Sequence, residues 1–286
     1  MKILSCGAGM QSTALALMSC ANKLIKEGHA DGLNFTYTEK VPIYDVILFC
    51  DLGLEPSWVM NQVLFVQHAC EWAGIPFYIL KSNLYEDYIN NFGVRRVVSI
   101  PFWSVDEEGK KGKMMRNCTL DYKVTLMQNF VRWELLGYKK GARTKQEDIK
   151  AHEMHLGFSK EEEHRCKENP HKMFVNRFPL CEMNLVRADN YAYIKDVWGL
   201  DTKASACCFC PFHTNYFFDF IKRNHKDEYR KTIEFDQMLE EQQPNTKIRS
   251  KLYISKSRKR IKDLLPEECQ DKECFLYRNE EVWNGF

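Results

Sequence analysis

Lys2-Ile3-Leu4-Ser5-Cys6-Gly7-Ala8-Gly9-Met10-Gln11-Ser12-Thr13 is a short apolar run, a turn of small residues and a hydroxyl pair. It leads into Ala14-Leu15-Ala16-Leu17-Met18, all good helix formers. Strand, small-residue turn and helix in that order form the layout of a phosphate cradle. Gly7 and Gly9 let the backbone turn tightly and approach an anion. The N–H groups at the helix start, with Ser12 and Thr13, can donate to phosphate oxygens. The stretch lacks the Gly-Lys-Ser/Thr ending of a Walker A loop and the glycine spacing of a dinucleotide fingerprint. A tight turn opening a helix is the plain alternative.

Outward from this stretch the alternation continues. Residues 44–50 (YDVILFC) are a near-continuous apolar run, as in a parallel strand buried on both faces. Residues 56–72 read as a helix with Pro56 in its first turn, and residues 76–80 (PFYIL) as a third strand. Such alternation predicts βαβ units on a parallel sheet. Further on, residues 97–101 and 154–158 read as strands. Residues 119–136 and 188–198 read as helices, and residues 217–242 as a long charged helix or helix pair. Residues 30–43, 106–113 and 138–148 are loop-like. No Pro- or Ser-rich linker divides the chain. The predicted organisation is an α/β domain over 1–205 and a helical C-terminal region over 206–286.

The 286 residues suffice for one large core or a core plus a lobe, and the formal charge of +2 gives no global pull towards polyanions or membranes. No apolar run approaches the roughly 20 residues of a membrane span, and no secretory signal pattern opens the chain. The expected location is cytoplasmic, in the host cytoplasm for a viral chain. Twelve cysteines in a reducing compartment point to thiols or metal ligands rather than disulfides. Cys20, Cys50 and Cys70 fall in apolar patterns and read as small core residues; Cys166 and Cys181 are ambiguous. Cys207-Cys208-Phe209-Cys210-Pro211-Phe212-His213 has C-x-x-C spacing, with Cys208 expected to point elsewhere, and Cys118, beside Arg116 at a helix start, is the best upstream partner. Cys118, Cys207 and Cys210 would suit a 4Fe–4S cluster with one iron open. Zinc on these three and His213 is the rival, and a turn with free or redox-active thiols is the third reading.

Five segments in order resemble the phosphoadenosine phosphosulfate (PAPS) reductase-like branch of the PP-loop, or adenine nucleotide alpha-hydrolase, superfamily. They are the loop at residues 5–13; Phe49-Cys50-Asp51-Leu52-Gly53-Leu54-Glu55-Pro56; Arg116-Asn117-Cys118-Thr119-Leu120-Asp121-Tyr122-Lys123; Gly157 through Glu162 to Arg165 with Asn176-Arg177-Phe178-Pro179-Leu180; and the Cys207–His213 motif. The likeness runs from residue 2 to about residue 262. It implies a parallel twisted sheet of about five strands with helices on both faces and a helical C-terminal region. It implies an adenine nucleotide, ATP or a PAPS-type one, held by Ser5, Gly7, Gly9, Ser12 and Thr13. Asp51 would lie near the sugar, the base or a Mg2+ ion. Arg116, Lys123 and Arg165 would balance phosphate or sulfate charge. Asp51 as a turn opener, Lys123 as a solvated residue, Arg165 as a helical ion-pair partner and His213 as a structural histidine are the plain alternatives.

Two departures matter. Gln11 stands where ATP-using members carry Asp. Glu268-Cys269 and Glu273-Cys274 lack the Gly-Leu-His that completes the attacking-thiol motif of true reductases. The function the resemblance implies is nucleotide-activated sulfur transfer (thiolation) with an iron–sulfur cluster and an unknown sulfur donor. The alternatives are a sulfonucleotide reductase and a non-catalytic nucleotide- or nucleic-acid-binding protein with a structural metal. Residues 247–262 carry Lys247, Arg249, Lys251, Lys256, Arg258, Lys259, Arg260 and Lys262 without an acid. Such a run can bind a phosphate backbone, tRNA or DNA, or form a solvated helix face balancing the acids at 234–241.

Overall fold

The structure is a computed structural model and describes residues 1–269. In chain order the strands are β1 (Lys2–Cys6), β2 (Val46–Asp51), β3 (Phe77–Lys81), β4 (Trp103–Val105), β5 (Lys111–Lys113), β6 (His152–Leu156), β7 (Phe174–Arg177) and β8 (Lys251–Tyr253). The α-helices are α1 (Met10–Lys26), α2 (Ser57–Ala73), α3 (Leu84–Asn91), α4 (Thr125–Phe130), α5 (Pro179–Glu182), α6 (Arg187–Trp198), α7 (Asn215–Asn224) and α8 (Lys226–Gln242). Two π-helical turns, Leu120–Val124 and Val131–Leu135, flank α4. Two compact units result. The first comprises Met1–Cys50, Ser57–Leu80 and Met127–Ser205; the second comprises Asp51–Pro56, Lys81–Leu126 and the chain from Ala206.

The first unit is built on a five-stranded parallel sheet in the order β3-β2-β1-β6-β7, flanked by helices as the sequence predicts. Ile3 is in register with Val46 on one side and Met154 on the other, so β1 is central. Ile3, Leu4, Ile47 and Leu48 are wholly inaccessible, which explains their unbroken apolar sequence. Helix α1 packs against both α2 and α6; its buried positions run almost without gap from Met10 to Leu24. Cys20, Cys50 and Cys70 are core residues as expected, with the Cys20 and Cys70 sulfurs 3.7 Å apart. Strand order runs outward from β1 to β3 and then resumes on the other side of β1 with β6. The carboxyl ends of β1 and β6 therefore mark the reversal point, where open α/β sheets bind ligands.

The second unit has a small antiparallel sheet, β5-β4-β8, and an aromatic core. The Phe209 ring lies 4.8 Å from that of Phe235, which also meets Tyr85 and Tyr88 at 5.8 Å. Residues 97–101 are not a strand: the Ser99 and Ile100 N–H groups donate to the buried Tyr88 hydroxyl (2.8 and 3.0 Å) instead of to a sheet neighbour. Residues 217–242 belong to a helix pair broken at His225, α7 and α8. The C-terminal region is helical but also supplies β8. Of the loop expected at 106–113, the last three residues form β5.

Candidate functional site

In the first unit the turn after β1 is shaped by local bonds. Gly9 is the N-cap of α1 in an extended conformation, and Ala8 takes a left-handed φ of 53°. The Ser12 hydroxyl accepts from Gly7 N–H (3.0 Å) and donates to the Gly9 carbonyl (3.2 Å). The Ser12 side chain is thus a strut of the turn itself. Thr13 is fully buried and its hydroxyl has no hydrogen-bond partner among the described residues. The partly exposed positions are Ser5, Gly7, Gly9 and Gln11, so the accessible donors here are mainly backbone N–H groups.

Three neighbours fix this turn. Gln62 of α2, 2% exposed, donates to the Ala8 carbonyl at 2.6 Å and exchanges bonds with the Lys203 backbone. Gly157, just past β6, passes so close that a Cβ there would sit 2.6 Å from the Ser12 nitrogen. A Cβ on Gly9 would sit 2.9 Å from the Ser205 hydroxyl. Gln11 donates to Glu162 (3.0 Å) and reaches Ser159 (3.4 Å). Glu162 in turn ion-pairs with Arg165, whose guanidinium lies 4.3 Å over the Phe158 ring. The structure therefore brings the Gly157-to-Arg165 segment to the loop, and Arg165 is an ion-pair partner there. The Gln11–Glu162 bond was not foreseen from the sequence.

In the second unit, Cys118, Cys207 and Cys210 come within electrostatic reach of one another. Burial pushes the Cys207 thiol well above its ordinary range; Glu55 raises it further, Lys123 opposes, and Cys210 and Cys118 add to the rise. Burial likewise raises Cys210 to about 11, with Arg116 and Lys123 opposing and Cys118 reinforcing. Cys118 is placed by the same segment that replaces the expected strand: the Asn117 and Cys118 N–H groups donate to the Ser99 carbonyl at 3.0 and 2.8 Å. The other two cysteines sit on a tight turn in which Cys210 N–H donates to Cys207 O (2.9 Å) and Cys208 N–H to Leu54 O (3.0 Å). Burial raises the Cys208 thiol, with Glu55 and Glu228 adding to the rise and Lys231 opposing.

Glu55 is the residue that sequence reasoning missed. It is half-buried, and desolvation raises its carboxyl against the pull of Lys123 while Asp51 adds to the rise. The Cys207 thiol donates to it at 3.6 Å. Its only sequence signal is its position four residues after Asp51, in the turn that follows β2. Asp51 itself accepts from Gly53 N–H at 2.8 Å and so opens that turn, where Gly53 has φ 98°.

Among the described residues no group of three His, Cys, Asp or Glu side chains is arranged to hold a metal ion. The surroundings of His213 bear on the zinc reading. His213 is buried, with Nε2 donating to the Cys207 carbonyl at 2.9 Å and its ring stacked on Phe217. Burial pushes its pKa down to about 4. It is a structural histidine, which removes the fourth zinc ligand.

A parallel α/β sheet with a small-residue turn at its reversal point is the class that the first unit defines. No protein-family model matches the chain, and no curated protein matches its sequence. Among solved structures it is similar to the U34-tRNA thiolase NcsA from Methanococcus maripaludis with its 4Fe–4S cluster. The sequence identity is 14%, the match covers 83% of this chain and 70% of that one, and the TM-score is 0.37. No described helix is long and apolar enough to cross a membrane.

Proposed function

We propose that this chain is a PP-loop-like enzyme that binds an adenine nucleotide at the β1–α1 turn and carries out nucleotide-activated sulfur transfer. The observation that supports it best is that Cys118 falls in the same unit as Cys207 and Cys210, within reach of their electrostatic influence. Backbone N–H groups of Gly9 and the first turn of α1 would hold phosphate oxygens. Lys123 and Arg116 offset the negative charge of ionised thiolates. Cys118, Cys207 and Cys210 would hold the 4Fe–4S cluster, which when bound supplies an open iron able to bind sulfur. Glu55 takes the proton-bearing thiol of Cys207 as its hydrogen-bond donor in the metal-free protein. Metal binding then requires loss of thiol protons, so affinity rises with pH.

The test is anaerobic purification with iron, sulfide and zinc analysis, followed by nucleotide assays. Iron and sulfide at about four each per chain, lost in Cys118→Ala, are expected, together with pyrophosphate release from ATP. Zinc in place of iron, or a colourless protein, overturns the cluster. Sulfite release from PAPS with a thiol donor would instead mark a sulfonucleotide reductase. That route needs a mobile tail thiol; Cys269 is buried, and Cys274 lies outside the described residues.

A further inference from the structure

The basic stretch at 247–262 is not a uniform patch. Arg260 is buried against Asp236 (3.0 Å) and reaches Glu240. Lys259 pairs with Glu268. Arg258 donates to the Ser104 and Gly112 carbonyls and lies over Trp103. These three cations hold the second unit together.

The other end of the stretch differs. Lys247, Arg249 and Lys251 are exposed, while Ile248, Ser250 and Leu252 alternate inward. That alternation sets three cations in one outward row, with no carboxylate partner among the described residues. The row is stapled from beneath by Gln243, which donates to Ser250 O (2.7 Å) and accepts from Leu252 N–H (3.0 Å). At its head lies a cavity of about 510 Å³ whose walls are residues 92–98 and 245–248. Phe92, Val97, Val98 and Ile248 give it an apolar lining. Arg96 and Lys247 stand at it as exposed cations, without an ion-pair partner among the described residues. Arg95, on the same wall, is paired with Asp87. The walls meet at Gly93, where a Cβ would lie 3.0 Å from the Gln242 carbonyl.

We propose that this cavity and the Lys247-Arg249-Lys251 row bind single-stranded nucleic acid, with backbone phosphates on the row and one unstacked base in the cavity. Every base has an apolar face that such a cavity accepts. A basic track beside it follows the phosphates without reading sequence. The volume falls in the range of small-molecule sites. A duplex cannot offer an extruded base without unpairing it. This site stands on its own residues and does not require the sulfur-transfer reading.

The experiment is fluorescence anisotropy of the full chain with a fluorescein-labelled 12-nucleotide single-stranded RNA, across a salt series. Arg96→Glu with Lys247→Glu is expected to weaken binding at least tenfold. Lys256→Glu with Lys262→Glu, exposed cations off the row, should change it less than threefold. The row itself is probed with Arg249→Ala and Lys251→Ala, each lowering the salt slope by about 0.7. A strand carrying abasic sites should bind at least fivefold more weakly than the parent strand. Absence of binding, equal loss in both charge-reversed pairs, or an abasic or duplex probe binding as tightly as the parent strand overturns the assignment. Because iron content and pyrophosphate release are separate readouts, failure here leaves the sulfur-transfer reading untouched, and the reverse.

Discussion

Replacing Gly157 by Ala tests whether the β1–α1 turn is held by close backbone approach. The new Cβ would stand 2.6 Å from Ser12 N and 2.9 Å from Gln11 C. Ordinary contact begins near 3.4 Å, so backbone must move by about 0.8 Å at one side or the other, and overpacking of this kind costs about 1–3 kcal/mol. The shift falls on the first turn of α1, whose N–H groups are the proposed phosphate donors. A misplacement of about 1 Å is enough to cost one or two orders of magnitude in a positioned interaction. Urea denaturation followed by circular dichroism should show the stability loss, and calorimetry should show ATP affinity falling at least tenfold. Gly7→Ala separates the two effects. Its Cβ would meet nothing nearer than the Ser12 hydroxyl at 3.9 Å, so the fold should tolerate it while nucleotide binding falls. A Gly157→Ala protein as stable as the parent would refute the steric argument. Unaltered ATP affinity in Gly7→Ala would refute the cradle.

Other outcomes follow from the same geometry. Arg260→Met leaves Asp236 buried and unpaired, and should cost about 3–5 kcal/mol in urea melts; the double change with Asp236→Asn should recover most of the loss. Burial already holds the Asp236 carboxyl above its ordinary range, outweighing Arg260. Its folded-state pKa therefore exceeds the unfolded one, and the stability it contributes is present at low pH and lost as pH rises through the raised value. Asp236→Asn should flatten that part of a stability–pH curve. Gln62→Ala strips the Ala8 and Lys203 carbonyls of a buried donor, and a loss of about 1–3 kcal/mol is expected in thermal or urea melts. Cys166 and Cys181 face each other at 3.6 Å and are only partly buried. Incubation with glutathione disulfide should join them, with two molecules of glutathione released per disulfide formed, before the inaccessible Cys20–Cys70 pair reacts. Peptide mapping by mass spectrometry distinguishes the two.

The first three strands and their helices were legible because each carries an unbroken apolar run or a helix-forming window of sufficient length. β7 was quoted only as part of a motif, since Phe174-Val175-Asn176-Arg177 has too little apolar content to stand out. β4, β5 and β8 have three residues each, below the length at which alternation is visible. Residues 97–101 looked like a strand by composition, yet their backbone donors go to the Tyr88 hydroxyl, a partner that only tertiary packing reveals. The loop glycines and the cysteine motif were readable from spacing. Glu55, Gln62 and the Gln11–Glu162 bond were not, because a polar side chain gives no local sign that it will be buried against a backbone carbonyl or a thiol. The basic run was legible as charge, but which cations are engaged internally depends on Asp236, Glu240 and Trp103, all distant in sequence.

The turn between β1 and α1 is braced by protein contacts: Ser12 from within, Gln62 on Ala8, and Gly157 against the helix start. On the proposed reading, an arriving anion would meet a seat already braced by these contacts, with little ordering left to oppose association. Such a site should capture its ligand in a single kinetic step whose rate scales linearly with ligand concentration, without the plateau that a folding loop imposes.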